Sequence, residues 1–217
     1  MTELVLLRHG ESIWNAEDRY QGQQGTGLSP LGRQQAKEAA NYLQSLEIDA
    51  IVASDLQRVT ETLQPYVDSR DHLPVRIDKR WREIDVGTWG GRTFADVYAD
   101  EPDVVNAFKR GEDVARGGGE TFKQLRARVW EAVREIAGAS DDRLAASAGT
   151  DTGARTSPAG RRVLVVTHGG PIRVAAAEAL RLPPGGEVLL DPPANCSLTT
   201  LHLDGLTSYN APTWMDR

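Results

Sequence analysis

Residues 4–15, LVLLRHGESIWN, and residues 163–172, VLVVTHGGPI, each place a histidine and a glycine shortly after four apolar residues. Apolar runs of this length that end at a polar turn are typical of strands buried on both faces, as in a parallel sheet. A third, shorter run follows the same pattern at residues 50–53, AIVA. Three such strands predict a sheet that carries polar residues at the carboxyl ends of its strands.

Helical patterns alternate with these runs. Apolar residues recur at helical spacing up to Leu43, after Ser29 as N-cap and Pro30 at the first helical position. The same spacing predicts three further helices, at about 56–66 with an interruption at Pro65, at 122–136, and after Pro171 to about 180. Residues 196–203 and 206–209, separated by Asp204-Gly205, predict two strands joined by a turn. This alternation is typical of an α/β fold with a parallel sheet.

The composition is that of a globular protein. The 217 residues include 25 basic and 31 acidic side chains, a formal net charge of −6, and 40% of the residues are hydrophobic. A chain of this length can bury a core without disulfides or a structural metal. We therefore expect one domain over residues 1–217.

Several classes of protein are disfavoured by the sequence. Cys196 is the lone cysteine, which fits a reducing compartment and leaves no zinc-ligand spacing. No apolar run approaches a signal sequence core or a membrane span, so we expect a cytoplasmic protein with no membrane partner. The acidic balance argues against nucleic acid as a partner. The chain has 21 arginines and 4 lysines, which indicates either coding bias or a supply of forked anion donors.

Residues 138–162 differ from the rest of the chain. They are poor in large apolar side chains and rich in glycine, alanine, serine and threonine. We expect a flexible surface insertion between a helix and a strand of the same sheet.

The two strand-end histidines are the first candidate site residues. Ligand sites in open α/β sheets lie at the carboxyl ends of strands. If the two strands are neighbours, His9 and His168 meet in one pocket, and Arg8 offers a planar fork for phosphate. Backbone N–H groups at Gly169, in the first turn of a helix, can also face an anion. The alternative is that Arg8 and His9 merely cap the sheet.

A third candidate is Arg58, in the segment SDLQRVTET at residues 54–62. It falls in the first turn of a helix that follows the third strand, so its guanidinium can project over the same end of the sheet. The alternative is a solvated arginine on the helix surface, which is where most arginines lie.

Glu83 is a fourth candidate, in the segment WREIDVGTWGG at residues 81–91. Aromatic and glycine neighbours can desolvate a carboxyl group and favour the protonated form that a general acid needs. The alternative is an ion pair with Arg80 or Arg82. The remaining histidines, His72 and His202, are expected to be structural.

In this order, the segments resemble the histidine phosphatase superfamily, whose cytoplasmic branch contains the cofactor-dependent phosphoglycerate mutases and related phosphatases. The resemblance covers nearly the whole chain, through LLRHGESIWN, RYQGQQGTGLSPLGRQQA, SDLQRVTET, EIDVGTWGG, GGGET and VVTHGGPIR. It implies a phosphoglycerate mutase-like fold, a three-layer α/β/α sandwich with a mostly parallel central sheet.

The resemblance also implies a role for each matching residue. His9 would become a phosphohistidine, and Glu83 would protonate the leaving oxygen and then activate water. The groups that would bind the substrate or its phosphate are Arg8, Arg58, His168, Asn15, Gln21 and Gly22. Cationic side chains can offset the charge that develops on phosphorus, so neither a metal nor a cofactor is implied.

Two departures from the family pattern bear on function. The family often has an acidic residue shortly after the QG turn, where this chain has GTG at residues 25–27, so a polar contact at the pocket rim is missing or supplied elsewhere. Where the mutases carry Tyr-Gly and then Gly-Leu-Asn-Lys, this chain has VGTWGGR at residues 86–92, which resembles the phosphatase branch. We therefore expect a phosphomonoester hydrolase acting on a small phosphorylated metabolite. The alternatives are a cofactor-dependent phosphoglycerate mutase and, more remotely, a non-catalytic protein that binds phosphorylated ligands.

Residues 91–119 are expected to form a cap over the site. Their basic residues could bind a second anionic group such as a carboxylate, as a mutase requires: Arg92, Lys109, Arg110 and Arg116. The alternative, which surface statistics favour, is ordinary surface charge balanced by nearby acids. The sequence names neither the physiological substrate nor the oligomeric state, for which a homodimer is one option.

Overall fold

Strands and helices alternate along the chain, as the sequence predicts. The computed structural model describes residues 1–69, 73–138 and 160–213. Its strands are β1 (Thr2–Arg8), β2 (Ala50–Ala53), β3 (Val75–Ile77), β4 (Arg161–Thr167), β5 (Leu198–His202) and β6 (Gly205–Ala211). Its helices are α1 (Ile13–Ala16), α2 (Pro30–Leu43), α3 (Gln57–Asp68), α4 (Phe94–Asp100), α5 (Pro102–Lys109), α6 (Phe122–Gly138) and α7 (Gly169–Ala179). Within these ranges, no helix has the length and apolar character needed to span a membrane.

The described strands form one sheet in the order β3-β2-β4-β1-β5-β6. The pairs β1/β4, β4/β2 and β2/β3 are parallel, whereas β5 and β6 add an antiparallel edge. β4 lies between β1 and β2, with Arg8 opposite Thr167 and Ala53 opposite Val166. The carboxyl ends of β1, β4 and β2 therefore lie side by side. The prediction of a mostly parallel α/β sheet is confirmed.

Helices cover both faces of this sheet. Alternate side chains of a strand point to opposite faces, and in β1 this alternation separates Leu4 and Leu6 from Val5 and Leu7. The first pair packs with α6 and α7, and the second packs with α2 and α3. The central strands are apolar throughout because both of their faces are buried.

Helix α3 continues through Pro65 to Asp68, so the predicted interruption is wrong. A proline removes one hydrogen bond to the carbonyl four residues earlier. Leu63 and Tyr66, on either side of it, are buried against the sheet. The packing of this face holds the helix in one piece despite the lost bond.

Other element boundaries differ from the prediction by a few residues. α7 begins at Gly169, two residues before Pro171, with His168 at its N-cap. β5 begins at Leu198 because Cys196 has a φ of 55°, which a strand cannot accommodate. β3 was not predicted, since it has only three residues.

The flanking helix and strand both reach into the range 138–162 that the sequence predicts to be an insertion. Gly138 is the last residue of α6, and Arg161 and Arg162 are the first residues of β4. Residues 139–159 lie outside the described residues.

The predicted cap at residues 91–119 contains α4, α5 and a 3₁₀ turn at Arg116–Gly118. Val97 and Val105 anchor the two helices in the same core cluster as Trp89. Tyr20 packs against Trp89, with ring centroids 5.1 Å apart. That this segment caps the site stays a prediction.

Candidate active site

The polar residues that follow β1, β4 and β2 lie together at one end of the sheet. The His9 amide donates to the Thr167 carbonyl at 3.0 Å, so the β1/β4 pairing extends to the histidine. The Ser54 amide donates to the Val166 carbonyl at 3.1 Å on the other side of β4. As a result His9 and His168 meet, with ring centroids 5.1 Å apart and ring planes inclined at 62°.

The hydrogen bonds of His9 define its tautomer. Its ring is 2% exposed, and Nδ1 lies 2.7 Å from the carbonyl oxygen of Gly10. A carbonyl oxygen can only accept, so Nδ1 carries the proton and Nε2 holds the lone pair. Arg58 Nε donates to this Nε2 at 3.3 Å.

Both imidazoles are held in the neutral form. Burial lowers the pKa of His9 and of His168 well below the ordinary value of 6.5, and the neighbouring Arg58 and Arg8 lower it further. A buried ring beside guanidinium groups gains a proton only against desolvation and like charge. The Nε2 lone pair of His9 is therefore available at neutral pH.

Arg58 is fixed by the turn that follows Gln21. The side chain is 2% exposed, so its interpretation as a solvated surface residue is wrong. Its Nη1 and Nη2 donate to the carbonyl oxygens of Gln24 at 2.8 Å and Gly22 at 2.7 Å. Gly22 has a φ of +54°, and a Cβ there would lie 2.7 Å from Val86 Cγ2. Burial lowers the pKa of Arg58 to about 10, which leaves it charged at neutral pH.

Two buried nitrogens of the residues next to His9 lack hydrogen-bond partners among the described residues, Arg8 Nε and His168 Nδ1. Arg8 Nη1 donates to the Pro193 carbonyl, and His168 Nε2 lies 3.0 Å from Ser54 Oγ. Buried donors without partners are rare in native proteins. One belongs to the ring that contacts His9 and the other to the adjacent arginine, which indicates an anion-binding site, and the sheet-cap interpretation of Arg8 and His9 leaves both nitrogens unexplained.

Gly169 lies beside two of the charged candidates. A Cβ added at this position would be 3.7 Å from Arg8 Nε and 4.0 Å from Glu83 Oε2. The first turn of α7 thus approaches both the phosphate-binding candidates and Glu83.

Asn15 and Gln21 are linked through Ser12. Ser12 Oγ donates to Gln21 Oε1 at 2.7 Å and accepts from the Asn15 amide at 3.1 Å. Asn15 Oδ1 accepts in turn from the Ser12 amide at 3.2 Å. With their carbonyl ends engaged, both side-chain amides present their NH₂ ends as donors. Gln21 belongs to the turn that binds Arg58, and Asn15 reaches the cluster through Ser12.

The Glu83 carboxylate accepts two backbone hydrogen bonds, from Ile84 at 2.8 Å and from Gly170 at 3.2 Å. The second donor lies in the first turn of α7, where the helix dipole favours negative charge. A Cβ at Gly170 would lie 2.1 Å from Glu83 Oε1, so only glycine permits this approach.

Arg80 and Arg82, the alternative partners of Glu83, are engaged elsewhere. Arg80 pairs with Asp78 at 2.6 Å, and Arg82 pairs with Asp55 at 2.5 Å. The ion-pair interpretation of Glu83 is therefore wrong.

Four buried or half-buried arginines are attracted to the same carboxylate, that of Glu83. Burial lowers the pKa of each of these guanidiniums, and attraction to Glu83 partly offsets the effect at Arg8, Arg58, Arg116 and Arg173. A protein with a net charge of −6 thus concentrates positive charge around one carboxylate.

Arg128 on α6 holds the segment that carries Glu83, a role that its position in the sequence does not predict. Its Nη1 donates to the carbonyls of Arg80 at 2.6 Å and Arg82 at 2.8 Å, and its Nη2 donates to that of Glu83 at 2.9 Å. Glu120, in the GGGET segment, binds the same guanidinium at 2.7 Å. An arginine on an amphipathic helix gave no signal of this role.

Ser54 and Thr62 were also missed, although both lie in the quoted segment SDLQRVTET. Ser54 contacts His168, as described above. Thr62 Oγ1 accepts from the Gly10 amide at 2.9 Å and donates to the Arg58 carbonyl at 2.6 Å. Two sequence features could have indicated these residues: Ser54 comes directly after β2, and Thr62 lies one helical turn after Arg58.

The four basic residues of the predicted cap divide into two groups. Three lie at the surface with partners of their own: Arg92 with Asp100, Lys109 over the ring of Tyr98, and Arg110 with Glu112. The Arg116 guanidinium instead lies 4.4 Å from the ring centroid of Phe108 and 4.3 Å from that of Phe122. The surface-charge interpretation holds for the first three and fails for Arg116.

The carboxylate nearest to residues 25–27 in these contacts belongs to Glu61 of α3. Glu61 Oε2 accepts from the Leu28 amide at 2.7 Å, and the carboxylate lies against Gly27. Of the remaining histidines, His202 lies 3.2 Å from the Thr2 carbonyl, as a structural residue would. His72 lies outside the described residues.

Groups of three or more His, Cys, Asp or Glu side chains that could hold a metal ion are absent from residues 1–69, 73–138 and 160–213. The two strand-end imidazoles are flanked by Arg8 and Arg58, whose charges would oppose a bound cation.

Comparison with known proteins gives consistent matches along the chain. The family model described as "Histidine phosphatase superfamily (branch 1)" matches residues 4–209. A glucosyl-3-phosphoglycerate phosphatase of Mycobacterium tuberculosis is 36% identical over 198 residues, covering 91% of this chain and 84% of that protein. A metal-independent phosphoserine phosphatase of Arabidopsis thaliana is 31% identical, covering 94% of this chain and 77% of that protein. The solved structure of a mycobacterial glucosyl-3-phosphoglycerate phosphatase with VO3 has a TM-score of 0.80 at 33% identity, covering 96% of this chain and 98% of that one.

Proposed function

This chain belongs to the histidine phosphatase superfamily, and from that membership we propose how it hydrolyses phosphomonoesters of small metabolites: the phosphoryl group is transferred to His9 and then to water. The names of the phosphatase relatives support a small phosphorylated metabolite as the substrate.

The observation that carries this proposal is the state of His9. Its Nδ1 is committed to the Gly10 carbonyl, which leaves Nε2 as an uncharged nucleophile in a buried position. Arg58 Nε donates to this nitrogen, and unpartnered nitrogens are present on the adjacent Arg8 and on His168, whose ring contacts that of His9. This arrangement suits a phosphoryl group, because it pairs one nucleophilic atom with several cationic or polar donors.

In the first step, His9 Nε2 attacks phosphorus and the bond from phosphorus to the ester oxygen breaks. Arg8, Arg58 and His168 bind the phosphoryl oxygens and offset the charge that develops on them. The negative charge of the bound phosphoryl group offsets the arginines around Glu83 and favours its protonated form, which donates the proton to the leaving oxygen so that the alcohol departs neutral. Asn15, Gln21, Gly22 and Gly169 complete the binding of the phosphate, directly or by holding Arg58.

In the second step, Glu83 takes a proton from water as the water oxygen attacks phosphorus. The bond between phosphorus and Nε2 breaks, and inorganic phosphate leaves with His9 restored to its neutral form. The hydrogen bonds from Ile84 and Gly170 hold the carboxylate in place for both proton transfers.

Three further features belong to this proposal. The reaction proceeds without a metal, which the name of the Arabidopsis relative supports. Residues 91–119 cap the site within a single domain, since α4 and α5 are anchored in the main core beside Trp89. The protein acts in the cytoplasm, which the lone buried Cys196 supports.

The test uses His9→Ala and an activated aryl phosphate, p-nitrophenyl phosphate. Phosphate release should fall on the order of 10⁴-fold, because no other group replaces the nucleophile. The parent should also carry an acid-labile phosphoryl group after rapid quenching, and the variant should not. His202→Ala, remote from the site, is the control and should retain parental activity. Unchanged phosphate release by His9→Ala would disprove the mechanism.

Hydrolysis is separated from mutase activity by the products formed from 3-phosphoglycerate, with and without catalytic 2,3-bisphosphoglycerate. The proposal expects inorganic phosphate in both reactions. Rapid formation of 2-phosphoglycerate without free phosphate would overturn it in favour of the mutase.

A further inference from the structure

The two peptide groups that follow His9 are each held by side chains from other parts of the chain. The first peptide group joins His9 to Gly10. Its carbonyl oxygen accepts from Asn195 Nδ2 at 3.0 Å, and its amide donates to Thr62 Oγ1 at 2.9 Å. Because a peptide group is planar, hydrogen bonds at its two ends fix the orientation of the whole group.

The second peptide group joins Gly10 to Glu11. Its amide donates to Gln35 Oε1 at 2.8 Å, and its carbonyl oxygen accepts the proton of His9 Nδ1 at 2.7 Å. Hydrogen bonds in a chain polarise one another, so the bond to Gln35 strengthens the acceptor at the other end of the same peptide group. Gln35 therefore supports the bond that selects the tautomer of His9.

Two glycines allow α2 to approach this turn. A Cβ at Gly10 would lie 2.6 Å from the Gly32 carbonyl oxygen, and a Cβ at Gly32 would lie 1.9 Å from the Glu11 carbonyl oxygen. Gln35 follows Gly32 by three positions and so lies on the same side of the helix. The close approach of α2 brings the Gln35 side chain to the Glu11 amide.

The segment that carries Asn195 is also bonded to β1 through its backbone. The Cys196 amide donates to the carbonyl oxygens of Arg8 at 3.1 Å and His9 at 3.3 Å. Cys196 has a φ of 55°, which is uncommon for a residue with a side chain. Such conformations persist where the surrounding structure over-determines them, and they cluster at active sites. This conformation keeps Asn195 beside the His9 carbonyl.

The His9 ring depends on this backbone for its orientation during the reaction. Among the described residues, its hydrogen bonds are the one from Nδ1 to the Gly10 carbonyl and the one from Arg58 to Nε2. The second bond must be given up when Nε2 attacks phosphorus. The Gly10 carbonyl then restrains the ring, and a misplacement of about 1 Å at a reacting atom can cost about 100-fold in rate.

We propose that Gln35, Thr62 and Asn195 are positioning residues for phosphoryl transfer, which hold the two peptide groups after His9 and so keep its ring oriented for attack. The inference rests on the proposed hydrolysis at His9. It adds residues that act through the nucleophile, separate from the groups that bind the phosphoryl oxygens.

The test measures phosphorylation of His9 and binding of phosphate separately. In single-turnover rapid-quench experiments with p-nitrophenyl phosphate, loss of any one contact should slow formation of the phosphoenzyme by about 10- to 100-fold. The inhibition constant of inorganic phosphate should stay near that of the parent, because the groups that bind the phosphoryl oxygens are unchanged. The variants are Gln35→Met, Thr62→Val and Asn195→Ala.

Each variant has a control of the same residue type at the surface. Gln34 and Thr60 are exposed on α2 and α3, and their side chains bond only within those helices. Asn41 is exposed on α2. Gln34→Met, Thr60→Val and Asn41→Ala should all keep the parental rate.

A further variant and a folding measurement keep the test independent of misfolding. Thr62→Ser retains the hydroxyl group and should recover most of the rate that Thr62→Val loses. Thermal unfolding midpoints verify that each variant is folded. If the buried Thr62→Val does not fold, the variants of the half-buried Gln35 and Asn195 decide.

Proton NMR follows the same positioning without turnover. The Nδ1 proton of His9 is buried and hydrogen-bonded, so it should give an imidazole resonance that is protected from exchange with water and absent from His9→Gln. The three variants should lose this resonance through exchange while other buried amides stay protected. The three surface controls should keep it.

Parental rates of phosphoenzyme formation in the folded variants would overturn the proposal. So would rate losses matched by equal losses in phosphate affinity, or rate losses with an unaltered Nδ1 resonance. A parent that forms no phosphoenzyme would contradict the hydrolase proposal instead. The NMR measurement then decides: loss of the resonance in the three variants alone supports the positioning role, and its retention in all of them overturns that role.

Discussion

At the scale of single residues, the chemistry of this site depends on which atoms the protein leaves without a partner. The Gly10 carbonyl engages one nitrogen of His9 and leaves the other as a base. Ser54 engages one nitrogen of His168 and leaves the other without a partner among the described residues. In the proposed mechanism, the groups beside each imidazole therefore decide whether it serves as the nucleophile or as a phosphate ligand.

Glu83→Gln tests the proton transfers at this scale. An amide cannot donate a proton to the leaving oxygen, so alkyl phosphates with poor leaving groups should lose about 10²- to 10⁴-fold in kcat. p-Nitrophenyl phosphate needs little protonation and should lose far less in its first step. Steady-state and burst kinetics on both substrates measure the difference. Equal losses in the phosphorylation step would contradict the acid role of Glu83.

Gly170→Ala tests the position of the same carboxylate. A Cβ at residue 170 would lie 2.1 Å from Glu83 Oε1, so the carboxylate must move away from α7. Because a displacement of this size disturbs the geometry of proton transfer, kcat should fall by about 10- to 100-fold. Gly138→Ala is the matched control, since a Cβ at that position meets nothing within 4 Å. If Gly170→Ala keeps parental kcat on an alkyl phosphate, the contact is not needed for catalysis.

At the scale of elements, helix α6 holds the irregular segment at residues 79–89 in place. Residues 79–89 contain only two 3₁₀ turns, at Lys79–Trp81 and Gly87–Trp89, so they supply few backbone hydrogen bonds of their own. Arg128 binds three of their carbonyls, and Glu120 orients Arg128. Through this clamp the GGGET segment helps to position the segment that carries Glu83.

Arg128→Met should therefore affect stability and catalysis together. It leaves three carbonyls and the Glu120 carboxylate without their donor, which should cost about 3 kcal/mol in the free energy of unfolding. The segment that carries Glu83 should also loosen, so alkyl phosphates should be hydrolysed more slowly. Urea denaturation and steady-state kinetics measure the two effects. Lys123→Met, an exposed position on the same helix, is the control, and similar stabilities of the two variants would argue against the clamp.

At the scale of the whole molecule, strand order assembles the site. β4 lies between β1 and β2, so the three segments that follow these strands converge although they are far apart in the chain. Arg8, Arg58 and Arg173 lie at or after the ends of these strands, and Arg116 of the predicted cap joins them in attraction to Glu83, in a protein of net negative charge. This local field favours a dianionic ligand, and it keeps both imidazoles neutral by opposing their protonation.

The pH dependence of stability follows from these neutral imidazoles. Their pKa values are lowered in the folded protein, whereas the unfolded chain titrates near 6.5. Below that pH the unfolded chain binds protons that the folded protein does not, so stability falls as the pH falls. Each imidazole should contribute about 1.4 kcal/mol per pH unit until its folded pKa is reached. Urea denaturation in phosphate-free buffer between pH 7.5 and 5.5 measures the slope.

The imidazole variants identify the source of that slope. His9→Gln and His168→Gln should each make the free energy of unfolding less dependent on pH, because each removes one group that binds a proton only in the unfolded chain. His202→Gln alters a residue that is not buried with the pair and should leave the slope near that of the parent. Identical slopes in all four proteins would show that other groups govern acid sensitivity.

The sequence determined the elements and most of the chemistry by itself. Apolar runs and helical spacing are local properties, so they predicted the central strands and the long helices before any contact was known. His9, His168, Arg58 and Glu83 were selected because their segments also matched a known pattern in order. The predicted interruption at Pro65 failed because packing on the sheet outweighed a local propensity.

Only the tertiary structure decided which groups meet. Arg116 could not be told from the surface cations of its segment, and Arg173 and Arg128 resembled ordinary arginines of amphipathic helices. Their surroundings are set by contacts with Phe122 and with the Glu83 segment, which come from other parts of the chain. Composition and periodicity describe neighbours along the chain, whereas burial, pairing and pKa depend on neighbours in space, which strand order and layer packing fix.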